Sequence, residues 1–204
     1  MITVSIKSNI DRVMASYFLT REQIEEAMRI ALNKTVKSVQ VAAAREAVAG
    51  GYKVKVSVIK DGIRIVQASK GTLSAKIIAT GKPISLFEYA ARWGGPGSDG
   101  VSVSVLSGRK MIKGAFIATM PNGKRGVFVR APNARHKKVN SGNKPSWHAL
   151  PIRQLYGPSV ADMFNNPRVE QAMFRRFAEQ APKNMAHELR RAWKRAAVSI
   201  GNAA

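Results

Sequence analysis

The chain has 204 residues, 45% of them hydrophobic, and carries 34 Lys or Arg against 12 Asp or Glu, a formal charge of +22. That length suits one domain, or one domain with a helical appendage, and the apolar share supports a core, while the charge draws polyanions such as nucleic acid, an anionic membrane face or an acidic protein. The lack of cysteine excludes disulfides and thiolate metal sites; with no signal-peptide pattern and no apolar run near 18 residues, a soluble protein is expected.

Ile2, Val4 and Ile6 alternate with polar residues, which predicts a short strand. Asn9 is placed to cap a brief helix with Ile10, Val13, Met14 and Tyr17 on its apolar side. Thr20-Arg21-Glu22-Gln23 has the form of a capping box, and Ile24, Ala27, Met28, Ala31, Leu32, Val36, Val39 and Ala43 recur behind it at helical spacing. Glu22, Glu25 and Glu26 suit the positive end of that helix, and Gly50-Gly51 ends it. Residues 52–68 admit two readings. Val54, Val56 and Val58 alternate as in a strand, whereas Val54, Val58 and Ile59 share a helix face. Asp61-Gly62 signals a turn, β character resumes over 63–66, and Leu73, Ala75, Ile77 and Ala79 predict the next strand. Residues 81–89 read as a connection or irregular edge, and the Gly- and Pro-rich 94–100 as a mobile loop.

The segment 101–160 organises the rest. Val101, Val103 and Val105 begin a strand. Apolar runs at 114–120 and 126–130 then flank Pro121-Asn122-Gly123-Lys124-Arg125, where Asn-Gly predicts a hairpin because both residues tolerate positive φ. A basic loop follows, and 150–158 return the chain toward a terminal helix. No carboxylate lies between Asp99 and Asp162, yet the segment holds eleven Lys or Arg, half the formal charge. Asp99 and Asp162 bracket it and could pair in space. Phe116, Phe128, Trp147 and Tyr156 interleave with the cations, as on nucleic-acid surfaces. Phe116 and Phe128 also alternate with small residues as core positions of strands do. From 166 onward the pattern is helical, with Val169, Met173, Phe177 and Ala181 as one apolar stripe and Leu189 and Trp193 as a second. Arg175, Arg176, Arg190, Arg191, Lys194 and Arg195 lie off both. Pro182 must kink this helix or start a new one.

Little here can do covalent chemistry. His136, His148 and His187 are scattered and lack metal-ligand spacing. No nucleophile elbow, Walker loop or dinucleotide fingerprint is present, and no lysine or helix cap follows the glycine-rich loop at phosphate-cradling spacing. The Glu22, Glu25, Glu26 cluster is explained by a helix N-terminus. No base, orienter and electrophile can be assembled into one set, so no catalytic residue or metal ligand is expected.

Taken in order, the segments 64–68, 74–87 with Gly81-Lys82-Pro83-Ile84, 113–120, 123–130 and 150–160 resemble the phage and prophage minor tail protein Z family. The likeness covers nearly the whole chain. It implies a structural, non-enzymatic protein without cofactor, acting in tail completion at the head-proximal end of a long tail. It further implies a homo-oligomeric ring around the DNA channel, hexameric by analogy, with other tail and neck proteins as partners. The virion tail is then its destination and the host cytoplasm its place of synthesis. The alternative is a non-enzymatic basic nucleic-acid-binding protein. The expected fold is α+β, with a mainly antiparallel sheet packed against the long N-terminal helix and the C-terminal helix. Strands are expected at 63–66, 73–79, 101–106, 113–120, 126–130 and 152–155. Residues 1–165 would form the α+β body and 166–204 a basic helical segment. The residues expected to face DNA or an acidic partner are Arg109, Lys110, Lys113, Lys124, Arg125, Arg130, Arg135, Lys137 and Lys138, since eleven cations without a carboxylate repel one another.

Overall fold

The computed structural model describes residues 2–5, 19–106, 108–131, 138–141, 144–147 and 152–201, with side chains for 19–106, 108–131 and 152–198. The expected helix at 9–17 and much of the basic loop lie outside these. Helix α1, Arg21–Ala49, starts as its capping box predicts. Thr20 Oγ1 accepts the Gln23 backbone N–H at 3.3 Å, and the Thr20 N–H donates to Gln23 Oε1 at 3.0 Å. Its buried face is the predicted one, extended by Thr35, Ala44 and Ala47. The helix stops at Gly50, whose N–H donates to the Glu46 carbonyl at 2.7 Å.

The two readings of 52–68 resolve toward helix. Val56–Asp61 forms a short α2, with Val54 and Ile59 buried. Gln40 Nε2 on α1 reaches the Lys60 and Ile63 carbonyls at 3.3 and 3.4 Å, so α1 itself fixes where α2 ends and the next strand begins. Burial of Ile59 against α1 decided what local alternation left open.

All the described ladders are antiparallel, but they divide among five small sheets rather than one. Strand β3, Ser74–Ala79, sits between β1, Ile2–Ser5, and β2, Ile63–Val66. The irregular 81–89 stretch holds β4, Pro83–Ser85, and a 3-10 turn, Leu86–Glu88. Strands β5, Arg92–Trp93, β6, Gly100–Val103, and β7, Lys110–Lys113, form a second three-stranded sheet. The expected 101–106 strand ends at Val103, because the chain turns there and Ser104 Oγ donates to the Gly108 carbonyl at 2.8 Å. Likewise the expected 113–120 strand is two. Gly114, at φ 70°, separates β7 from β8, Ala115–Thr119.

Strand β8 and β9, Arg125–Arg130, make the predicted hairpin, with Phe116 opposite Phe128. Its turn is not the two-residue one that Asn-Gly suggests. Met120 N–H and the Lys124 carbonyl close a longer loop at 2.9 Å, and of the pair only Gly123 takes positive φ, 76°. Asn122 serves instead through its side chain, Oδ1 accepting the Lys124 N–H at 3.1 Å. Strands β10, Lys138–Ser141, and β11, Lys144–Trp147, pair with each other. Strand β12, Ile152–Gln154, joins the free edge of β9, and β13, Tyr156–Ser159, joins β4.

Helix α3, Val160–Phe164, opens on a capping box in which Ser159 N–H and Oγ both donate to Asp162 Oδ2 at 2.7 Å. Those bonds, the backbone one first, hold Asp162 below the usual carboxylate range. Asp162 therefore serves its own helix and does not pair with Asp99. Helix α4, Pro167–Gly201, runs along α1 and passes through Pro182 without dividing. Met173, Ala181 and Leu189 are buried on either side of Pro182, and that packing carries the helix across the missing N–H. The second predicted stripe is half right: Leu189 is buried, whereas Trp193 is 46% exposed. The main core joins Leu32, Val36, Val39 and Ala43 of α1 to Ile59, Ile77, Tyr89, Val101, Val127, Met163 and Met173. With two long helices and otherwise short antiparallel strands among the described residues, the fold is α+β.

Candidate polyanion-facing surface

The nominated cations sit mostly on two adjoining sheets, β5–β6–β7 and β12–β9–β8. Strand alternation divides them between faces. In the first sheet Arg92, Ser102 and Met111 stand in one cross-strand row, and Arg109 and Lys113 fall on the same side, two residues before and after Met111. Lys110 falls on the other side, at the exposed edge of the face that buries Val101 and Val103. In the second sheet Arg130 shares a face with Phe116 and Phe128, and Arg125 shares the opposite face with Val127. The nine nominees are therefore not one patch.

Three of them already have local partners. The Arg109 guanidinium donates through Nη1 to the Ala90 carbonyl at 3.0 Å, the Ser102 carbonyl at 3.0 Å and Ser102 Oγ at 3.1 Å. It ties the chain before β5 to β6. Arg125 lies over the Phe87 ring at 5.1 Å and Arg130 over the Phe116 ring at 5.9 Å, both within cation–π range. Lys110, Lys113 and Lys124 are exposed and have no ion-pair partner among the described residues. Arg135 and Lys137 lie outside the described residues, and Lys138 is placed in β10 with its side chain outside them. Two exposed cations join the set that sequence reasoning did not nominate, Arg92 on β5 and Arg153 on β12. Arg92 precedes the acid-free segment, so only the pairing of β5 with β6 could reveal it. Phe116 and Phe128 follow the packing expectation, with Phe128 buried and its ring centroid 6.2 Å from that of Phe116, whereas Tyr156 is exposed.

Several carboxylates are engaged on the helices. Glu25 pairs with Arg21 at 3.2 Å and Glu26 with Arg29 at 2.6 Å, as a helix N-terminus would arrange them. The hydrogen bond from Arg29 leads the causes that hold Glu26 below the usual carboxylate range. Glu188 is buried and taken by Lys34 and His187. Among the described residues no group of three or more His, Asp or Glu is placed to hold a metal ion, and no helix is long and apolar enough to cross a membrane. What the surface offers is exposed ammonium and guanidinium groups, the donors that meet the oxygens of a polyanion.

The family model of prophage minor tail protein Z matches residues 12–197. The chain belongs to that family. The match spans α1, the strands from β2 to β13 and most of α4. No curated protein shows significant similarity to the chain, and no solved structure does.

Proposed function

We propose that this minor tail protein acts in tail completion at the head-proximal end of the tail, as one subunit of a ring around the DNA channel. It is a structural part without catalysis or cofactor, held by other tail and neck proteins and, without sequence preference, by DNA. The body 1–165 builds the ring, and 166–204 forms a basic helical segment along it. The observation that carries this reading is the family match over 12–197 in a chain whose segment between Asp99 and Asp162 is free of acid. Membership of a tail-protein family supports a place in the virion tail. Cations without carboxylates suit a position where a polyanion or an acidic neighbour supplies the missing charge.

In this role the exposed cations on both sides of the sheets, Lys110, Lys113 and Lys124, with Lys138, Arg135 and Lys137, meet DNA or acidic neighbours on either side of the subunit. Arg109, Arg125 and Arg130 hold the surface in shape through their carbonyl and ring contacts. The exchange Lys110→Ala/Lys113→Ala/Lys124→Ala removes exposed side chains with no ion-pair partner among the described residues, so the variant is expected to fold with stability within about 1 kcal/mol of the parent. In a host lacking the gene it should fail to restore joined, infectious particles. Full titre from this variant would remove the surface from the proposal. A free nucleic-acid-binding protein, the rival reading, would hold one defined sequence well above competitor DNA; a channel lining would not.

A further inference from the structure

The C-terminal half of α4 carries a second cationic surface, and it stands on its own charges rather than on the tail reading. After Glu179 the sequence holds one carboxylate, Glu188, and that one points inward. It is 2% exposed and accepts from Lys34 Nζ of α1 at 2.5 Å, with His187 Nδ1 3.0 Å away and Arg191 Nη1 at 3.9 Å. The outer side of this half therefore shows no acid. Lys183, Arg190 and Lys194 are exposed there and have no ion-pair partner among the described residues. Their spacing of seven and four residues puts them within about 40° of one another around the helix axis, in a straight row roughly 16 Å long. The row lies opposite Met185, Leu189, Ala192 and Ala196, which pack against Ile24, Ala27 and Met28 of α1.

Three ordinary explanations for such a row fail. The helix dipole favours cations only in the last turn, and this helix continues to Gly201. A solvated helix face gains from opposite charges three or four residues apart, as the first half of α4 does with Arg176 and Glu179 at 3.7 Å; Arg190 and Lys194 have no such neighbour, and Glu179, four residues before Lys183, is paired with Arg176. A membrane-surface helix must lay its apolar face in lipid, and here that face is spent on α1. The exposed Trp193 and Val198 stand beside the row rather than within it, so an acidic protein seated on these cations alone would lack an apolar anchor. Evenly spaced phosphates need none.

We infer that Lys183, Arg190 and Lys194 form a docking stripe for the phosphate backbone of double-stranded nucleic acid, without base readout. Each phosphate neutralised contributes about −0.9 to the slope of log affinity against log salt. The test is fluorescence anisotropy of a short labelled duplex of mixed sequence, titrated with the full chain at stepped salt. In Lys183→Gln/Arg190→Gln/Lys194→Gln the slope should become less steep by about 2.7. Lys183→Arg/Lys194→Arg, which keeps the charge, should leave it unchanged. Glutamine is a good helix former and the positions are exposed, so the helix is retained, which circular dichroism checks. An unchanged slope in the glutamine variant overturns the inference, even if removing Lys110, Lys113 and Lys124 flattens it. Binding of a polyglutamate chain as tightly as the duplex, with the same loss in the variant, overturns it in favour of an acidic protein partner.

Discussion

Replacing Gly100 by alanine should disrupt the sheet that carries Arg92, Arg109 and Lys113. A β-carbon at Gly100 would stand 2.1 Å from the Ile112 carbonyl oxygen and 3.0 Å from Lys113 Cα, across the β6–β7 ladder. Both obstacles are backbone, so no side chain can swing aside. Overpacking and strain of this kind together cost roughly 3–5 kcal/mol. For a domain of this size that is a loss of about 10 °C in melting temperature. Gly97, at φ 91° with nothing within 4 Å of its virtual β-carbon, is the control, since alanine there meets backbone strain alone. Thermal denaturation followed by circular dichroism separates the two, and equal stability of both variants would contradict the account of this ladder.

The second large effect is expected at Lys34, whose exchange for methionine strands Glu188. This carboxylate is buried where α4 meets α1, and Lys34 Nζ is its 2.5 Å partner. Burial, the largest influence, pushes its pKa up, but the hydrogen bonds and charges of Lys34 and His187 outweigh it and the net shift is downward. A group with a depressed pKa in the folded state adds stability above its unfolded value, about 4.3 for Glu, and loses it as pH falls toward the folded value. At neutral pH Lys34→Met should cost about 1–3 kcal/mol, discounted because Lys34 is itself 47% exposed. The deficit should shrink as pH falls from neutral into the acid range, where the stranded carboxylate, its pKa pushed up by burial once Lys34 is gone, takes up a proton and no longer needs a cation. A deficit that stays constant from neutral to acid pH would show that Lys34 acts through packing alone.

Where a local pattern coincided with a local cause, the sequence was a good guide. Thr20 and Gln23 lie three residues apart, and the capping box forms between them. Leu73, Ala75, Ile77 and Ala79 alternate, and β3 follows that alternation with Ala75 and Ile77 turned into the core. Patterns settled by distant contacts were not legible. Whether Val54–Val58–Ile59 made strand or helix depended on α1 lying beside them, and β13 exists because β4, some seventy residues earlier, offers an edge. The acid-free segment was plain in composition, but which of its cations were free was not. The Arg109 contacts to Ala90 and Ser102, and the rings under Arg125 and Arg130, are tertiary facts. The stripe on α4 was half visible, since Arg190 and Lys194 lie off the apolar positions. That Glu188 points inward and leaves the outer face without acid emerges only from the helix pairing.

The central claim is that this member of the minor tail protein Z family completes the tail so that heads can be joined to it. Deleting its gene and examining induced lysates by electron microscopy tests that claim most directly. The account predicts full heads and assembled tails that remain separate, a titre lower by several orders of magnitude, and recovery when the gene is supplied in trans. Joined particles at the normal titre in the deletion would contradict it.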